Sequence, residues 1–251
     1  RPKGPKPKPS DDGSMRLNRF IAHAGICSRR EADTYISAGS VQVNGKVVSE
    51  MGYKVQPTDI VKFDGRLLTP EKKEYVLLNK PKNFITTTED DKGRRTVMDL
   101  IANASKHRLL PVGRLDRNTT GLLLFTNDGD MAAKLTHPKY SVRKIYHVVL
   151  DKAFKMSDLQ QVEAGLELED GPISVDAISY ITGATKKEVG IEIHSGKNRI
   201  VRRIFEHLGY EVTKLDRVMF AGLTKKDLPR GQWRALDAKE VGFLQMIGKR
   251  S

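Results

Sequence analysis

A polar stretch, Thr69-Pro70-Glu71-Lys72-Lys73, separates two regions whose apolar residues recur with different periods. A charged, proline-bearing break suits a boundary, so the chain reads as two folds in series, residues 15–68 and 74–251, joined by a linker at 69–73. In the first region MRLNRFIAHAGI places Leu17, Phe20, Ile21 and Ala24 at helical spacing, and Gly25 ends the run. Ser28-Arg29-Arg30-Glu31 then has the spacing of a capping box, with a hydroxyl at the N-cap and a carboxylate three residues on. A second helix is expected from there through Ala32, Tyr35 and Ile36 to Gly39. Two short β-runs around Asn44-Gly45 carry a two-residue hairpin signature. A further strand is expected at 60–63, with Asp64-Gly65 turning the chain into Arg66-Leu67.

Beyond the linker, runs rich in Val, Ile and Leu predict strands at 75–78, 122–126, 145–150, 173–180 and 189–193. Helices are expected at 131–135, 157–165, 200–208 and 238–247. Consecutive strands with few helices between them imply an α+β fold with a mixed, largely antiparallel sheet and flanking helices. GLLLFTNDG is not followed by the Gly-Lys-Ser/Thr of a phosphate loop, so nothing supports nucleoside triphosphate use.

Lys and Arg number 44 against 31 Asp and Glu, a formal charge of +13. That surplus points to a polyanionic partner, because each phosphate neutralised releases counterions. Residues 1–14 hold no large apolar side chain, so a disordered basic tail is expected there, either a tether or an RNA-gripping arm. The single cysteine, Cys27, excludes an internal disulfide and a cysteine-based zinc site, and the six histidines form no pair at i, i+4. No metal and no small-molecule cofactor are expected. No apolar run approaches the ~20 residues of a membrane span and no signal peptide is visible, so a cytoplasmic location is expected, with no membrane contact.

The segment richest in chemistry is PVGRLDRNTTGLLLFTNDG, positions 111–129. Arg114-Leu115-Asp116 sits between Gly113 and Gly121, just ahead of a strand that reads as buried. Loops at a sheet edge commonly present reactive groups, and a carboxylate there can act as a nucleophile. An isolated Arg-Leu-Asp is far more often an ordinary solvated pair in a turn, so the tripeptide alone is a weak signal. Gly113 and Gly121 would let the loop backbone approach RNA closely, or simply serve turn geometry.

With its flanks, this loop closely resembles the catalytic loop of the pseudouridine synthases, specifically the RsuA/RluB/RluF group. Further likenesses run in order: EYVLLNKPKNFITT at 74–87, KIYHVVL at 144–150, GKNRIVRRIFEHLGYEVTKLDRVMFAGL at 196–223 and LPRGQWRAL at 228–236. The earlier run RLNRFIAHAGICSRREADTYISAGSVQVNGKVV, positions 16–48, resembles the S4 RNA-binding domain.

The resemblance implies that Asp116 is the catalytic nucleophile, attacking either the ribose C1′ or the uracil C6. It implies that the base flips out of its stack, that Tyr146 stacks on it and that Arg114 fills the space it leaves. Arg202 is expected to be the basic partner that keeps Asp116 ionised. Lys197, Arg199 and Arg203 are expected on RNA phosphate, and Arg16, Arg19, Arg29 and Arg30 on RNA through the S4 part. No cofactor is required by an isomerisation. The expected partner is ribosomal RNA, of the large subunit near the peptidyl transferase centre, or an assembly intermediate. An RluB-like target is preferred to an RluF-like one and to a small-subunit RsuA-like one. A monomer is expected. A non-catalytic S4-type assembly factor would need the basic residues but not Asp116, Tyr146 and Arg202 together.

Overall fold

The structure, a computed structural model, describes residues 12–249. The tail expected at 1–14 lies outside the described residues, apart from Asp12, Gly13 and Ser14. The described chain divides between Lys72 and Lys73 into two compact units.

In the first unit the helices Leu17–His23 and Arg29–Ser37 pack on a four-stranded antiparallel sheet, ordered Lys46–Val47, Val41–Val43, Val61–Phe63, Arg66–Leu67. The capping box forms as its spacing predicts: the Glu31 amide donates to Ser28 Oγ at 3.3 Å, and the Ser28 amide donates to the Glu31 carboxylate at 2.7 Å. Leu17, Ile21, Ala32 and Ile36 meet Val41, Val43 and Val61 in one core. A pair absent from the sequence reading, Met15–Arg16 with Lys54–Val55, is too short to show an alternating pattern.

The second unit is built on a mixed sheet in the order Ala177–Tyr180, Glu188–Ile193, Lys144–Leu150, Val212–Phe220, Thr120–Thr126, Tyr75–Lys80, Trp233–Ala235. Among the described strand pairs of this sheet Thr120–Thr126 with Val212–Phe220 is the parallel one; outside the named strands Ile85 and Thr96 form a parallel bridge. The two inner strands, Tyr75–Lys80 and Thr120–Thr126, are buried on both faces, which is why they read as unbroken apolar runs. Tyr75, Leu77, Leu122 and Leu124 face Met131 and Leu135 of helix Gly129–Thr136 and Leu244 of helix Ala238–Met246. Val76, Leu78, Leu123 and Phe125 face the other way, towards Val97 of the short helix Val97–Leu100. A separate core around Val148, Phe154, Ile191 and Phe205 supports the other half of the sheet, with helices Met156–Ala164 and Ile200–His207.

The single strand expected at 173–180 is two. Gly171–Ile173 pairs with Leu166–Leu168 in its own hairpin, and Ala177–Tyr180 joins the main sheet. The nine-residue strand Val212–Phe220 was not foreseen. Its register against Lys144–Leu150 shifts twice, so its buried positions do not alternate and no period of two is visible.

Candidate active site

Asp116 lies in the loop between strands Leu110–Pro111 and Thr120–Thr126. The loop is pinned from several directions. Leu115 is buried in the core, and its amide and carbonyl both bond the Thr86 hydroxyl, at 3.3 and 2.8 Å. The Thr119 amide donates to the Asp116 carbonyl at 3.0 Å, closing a tight turn under the carboxylate. Beneath it the Lys80 ammonium, fully buried, donates to the carbonyls of Asp116 at 3.0 Å, Thr119 at 2.7 Å and Pro81 at 3.1 Å. Asp116 therefore presents its half-exposed carboxylate from a rigid support.

Gly121 starts the strand that leaves this loop, and its φ is +110°. A Cβ there would stand 2.2 Å from the Arg217 carbonyl oxygen and 2.5 Å from the Arg217 nitrogen. The close approach that this glycine permits is thus to the protein's own backbone. Asp128, at the end of the same motif, is structural as well: its carboxylate accepts from the Tyr75 hydroxyl at 2.5 Å and caps the helix Gly129–Thr136 through the Met131 amide.

A cavity of about 460 Å³ opens beside Asp116, the size of a site for a small organic group. Tyr146, Lys144, Arg199, Arg202 and Arg217 line it together with apolar Val112, Leu135, Val142 and Phe220. Arg114 is exposed at its rim and also borders a more open groove with Thr86, Asp90 and Arg94. Of the residues expected at the reaction centre, Asp116, Tyr146 and Arg202 line this one cavity.

The arginines are arranged differently from the expectation. Arg199 Nη1 donates to Asp116 Oδ2 at 3.0 Å, whereas Arg202 Nε lies 3.9 Å from the same oxygen, an ion-pair distance without a hydrogen bond. Arg202 is buried and donates instead to Thr119 Oγ1 at 3.3 Å and to the Val212 carbonyl at 3.5 Å, so it braces the loop as well as the carboxylate. Burial, with Arg199 close by, holds Arg202 below the usual guanidinium value, and Asp116 opposes this. Arg199 reaches Asp116 because it caps helix Ile200–His207 in the left-handed conformation, φ +50°, a strained choice for a non-glycine residue of the kind found at functional sites. Lys197 and Arg203 sit on Asp170, at 4.0 and 2.9 Å.

In the first unit Arg16, Arg29 and Arg30 are exposed, and Arg19 lies on helix Leu17–His23. Arg29 and Arg30 occupy the first turn of their helix, where the dipole disfavours cations, so they do nothing for the helix itself. Sequence reasoning missed Lys80, Lys144 and Arg217. Lys80 closes the buried strand Tyr75–Lys80, and nothing in the sequence marks it as buried.

Residues 74–207 match the RNA pseudouridylate synthase family, and residues 15–61 match the S4 domain. The chain belongs to the RNA pseudouridine synthases. The synthase is 42% identical to the Bacillus subtilis protein named ribosomal large subunit pseudouridine synthase B, over 92% of this chain and 96% of that one. It is 38% identical to the Escherichia coli dual-specificity RNA pseudouridine synthase RluF, over 92% and 78% of the two chains. A crystal structure of a pseudouridylate synthase superposes with a TM-score of 0.65 at 28% identity, covering 92% of this chain and 99% of that one. These place the synthase in the RsuA/RluB/RluF group, with an S4 domain ahead of the catalytic domain. No helix among the described residues is long and apolar enough to cross a membrane.

Two lysines give this synthase an expected pH signature. Burial pulls Lys80 down to about 8, with Asp116 opposing and Arg230 assisting. Burial also pulls Lys144 to about 8, with Arg217 assisting. Below that pH the Lys80 ammonium holds its carbonyls with three donors; above it a neutral amine keeps two and its lone pair faces a carbonyl, while Lys144 loses its positive charge on the cavity wall. Turnover is therefore expected to fall as pH rises from about 8 to 9.5. Stability moves the other way: both lysines are depressed, so between pH 8 and 10.5 the unfolded chain binds more protons, and their contribution to stability rises. Rate and melting measured side by side across this range check it, and a flat rate up to pH 9.5 would contradict it.

Proposed function

We propose that this enzyme converts a uridine of large-subunit ribosomal RNA to pseudouridine, with Asp116 as the nucleophile. The observation that carries the reading is the Asp116 carboxylate, held on a pinned loop at 3.0 Å from the Arg199 guanidinium, on the wall of a cavity also lined by Tyr146. A nucleotide must leave its stack to reach such a group, at a cost of a few kcal/mol, least in loops and bulges. Tyr146 offers a ring for the flipped base to stack on, and Arg114 at the rim is placed to enter the gap left behind. The carboxylate attacks either ribose C1′ or uracil C6, the N1–C1′ glycosidic bond breaks, the base turns and C5 bonds to C1′; the bond to the carboxylate then breaks, the C5 proton leaves and N1 takes up a proton, which regenerates Asp116. Arg199 and Arg202 place positive charge beside the carboxylate, and Arg199 orients it for that attack. The S4 part, with Arg19, Arg29 and Arg30 on its two helices and Arg16 at the N-cap of the first, supplies the grip on RNA phosphate.

The large-subunit assignment rests on the similarity to the Bacillus subtilis enzyme of that name, and an RluF-like target is the second choice. Pseudouridine mapping of ribosomal RNA from cells lacking the protein tests both parts. One large-subunit site is expected to disappear, to return with the wild-type chain and to stay absent with Asp116→Asn, while that variant still binds RNA. Restoration by Asp116→Asn would remove the nucleophile assignment, and loss of a small-subunit site would redirect the target.

A further inference from the structure

Arg217 is only 4% exposed, yet it lines the Asp116 cavity. Its guanidinium is only partly satisfied. Nε donates to the Leu122 carbonyl at 2.8 Å, and the plane lies 4.6 Å from the Phe220 ring centroid. Nη2 is buried and has no hydrogen-bond partner among the described residues. A charged donor left in that state is costly, and such groups in folded proteins call for a specific explanation.

The sheet register says what the group is near. Arg217 is the direct cross-strand partner of Tyr146 on one side and of Gly121 on the other, and Phe220 is the partner of Lys144. Directly opposed residues share a face, so Arg217 stands beside the tyrosine, and it is near enough to Lys144 to lower that lysine's proton affinity. Among the described residues Asp116 is the sole carboxylate on the cavity wall, and it is already engaged by Arg199. The apolar walls of Val112, Leu135 and Val142 favour a flat, largely uncharged ring, and what that ring must bring to Arg217 is an acceptor.

We propose that Arg217 contacts the base, donating from Nη2 to a carbonyl oxygen, O2 or O4, of the uracil in the cavity. This rests on the reading of that cavity as the site of uridine isomerisation. A donor fixed in the wall orients the pyrimidine against Tyr146, and if it meets O4 it also rejects cytosine, whose amino group at that position is itself a donor. Sequence alone gives no hint of it, since an arginine in a strand of mixed polarity reads as a surface charge.

The test couples one atom of the substrate to one residue. A synthetic hairpin carrying the mapped uridine is prepared unmodified, with 2-thiouridine and with 4-thiouridine at that position, sulfur being a much weaker acceptor. Wild-type enzyme is expected to slow by about tenfold or more on one of the thio substrates, the loss of one charge-assisted hydrogen bond. Arg217→Gln is expected to be slower on the unmodified hairpin and to lose that discrimination, differing less than about twofold between the oxygen and sulfur substrates. Since Arg217 also ties two strands together, Arg217→Lys, which keeps the charge and a single donor for Leu122, is run alongside and is expected to lose the discrimination as well. Equal thio effects in wild type and in whichever variant folds, or no thio effect in wild type, would overturn the proposal and leave Arg217 as a strap between strands. Failure of wild-type enzyme to form pseudouridine in any ribosomal RNA would instead remove the functional reading beneath it.

Discussion

Gly121→Ala is expected to lower the stability of the catalytic domain by on the order of 4–5 kcal/mol, in the range that only a few mechanisms reach. Two faults combine at this position. The backbone φ of +110° is strained for any side chain, and the new methyl would lie 2.2 Å from a backbone oxygen that cannot rotate away. Relief requires the Val212–Phe220 strand to separate from Thr120–Thr126, which removes the two register pairs Asp216↔Thr120 and Arg217↔Gly121. A loss of that size corresponds to roughly 10–15 °C in melting temperature for a domain of this length. Differential scanning calorimetry of the full chain measures it, and a shift under about 3 °C would show that the seam can open cheaply. Activity is expected to vanish with stability, because the same strand carries the loop of Asp116.

Lys80→Met is expected to do the reverse, sparing stability while reducing turnover roughly a hundredfold. Bringing the ammonium into the interior pulls its pKa from 10.5 to about 8, which at about 1.4 kcal/mol per unit is a burial cost of about 3 kcal/mol. Methionine removes that cost and fills nearly the same space. It also removes the donors to Asp116, Thr119 and Pro81; the Asp116 carbonyl keeps the Thr119 amide, and the other two lose a donor at a cost of about 1–3 kcal/mol each. At the lower end of that range the two effects offset in the folded state, so melting should move by only a few degrees. Catalysis has no such compensation, since displacement of a reacting group by about an ångström costs around 10²-fold. Single-turnover rates with a filter-binding affinity on the same RNA separate the outcomes. A slow enzyme that still binds is expected; a fully active one would mean that Thr86, Leu115 and the turn at Thr119 hold the loop unaided.

These two residues also mark where sequence was and was not enough. The loop of Asp116 was legible because the whole run from Pro111 to Gly129 resembles a family's catalytic loop; the charged tripeptide alone reads as an ordinary turn, and only the buried apolar strand after it identifies itself. The capping box at Ser28 and Glu31 was legible because its partners are three residues apart. Lys80 was not, since its acceptors in the loop, on Asp116 and Thr119, lie 36 and 39 residues away and a lysine before proline has no local mark of burial. The hydrogen bond from Arg199 to Asp116 depends on a single left-handed residue at a helix start, and three neighbouring arginines in NRIVRR give no reason to choose it over Arg202. Gly121 was visible as a glycine, but its purpose belongs to a strand that begins about ninety residues later and whose bulges hide its period.

The parallel seam has a wider meaning for how this molecule comes into being. Strands Tyr75–Lys80 and Thr120–Thr126, which hold the Asp116 loop, come from one continuous stretch of chain. Lys144–Leu150, helix Ile200–His207 and Val212–Phe220, which bring Tyr146, Arg199 and Arg202, come from the next. Asp116 and the cations beside it therefore come from two successive stretches of chain, and the site exists only once these are joined: by the two-residue ladder, by the ties of Thr120 to Asp216, Arg217 to Leu122 and Arg202 to Thr119, and by the return of Trp233–Ala235 to Tyr75–Lys80. An assembled site is in this sense a certificate of completed folding.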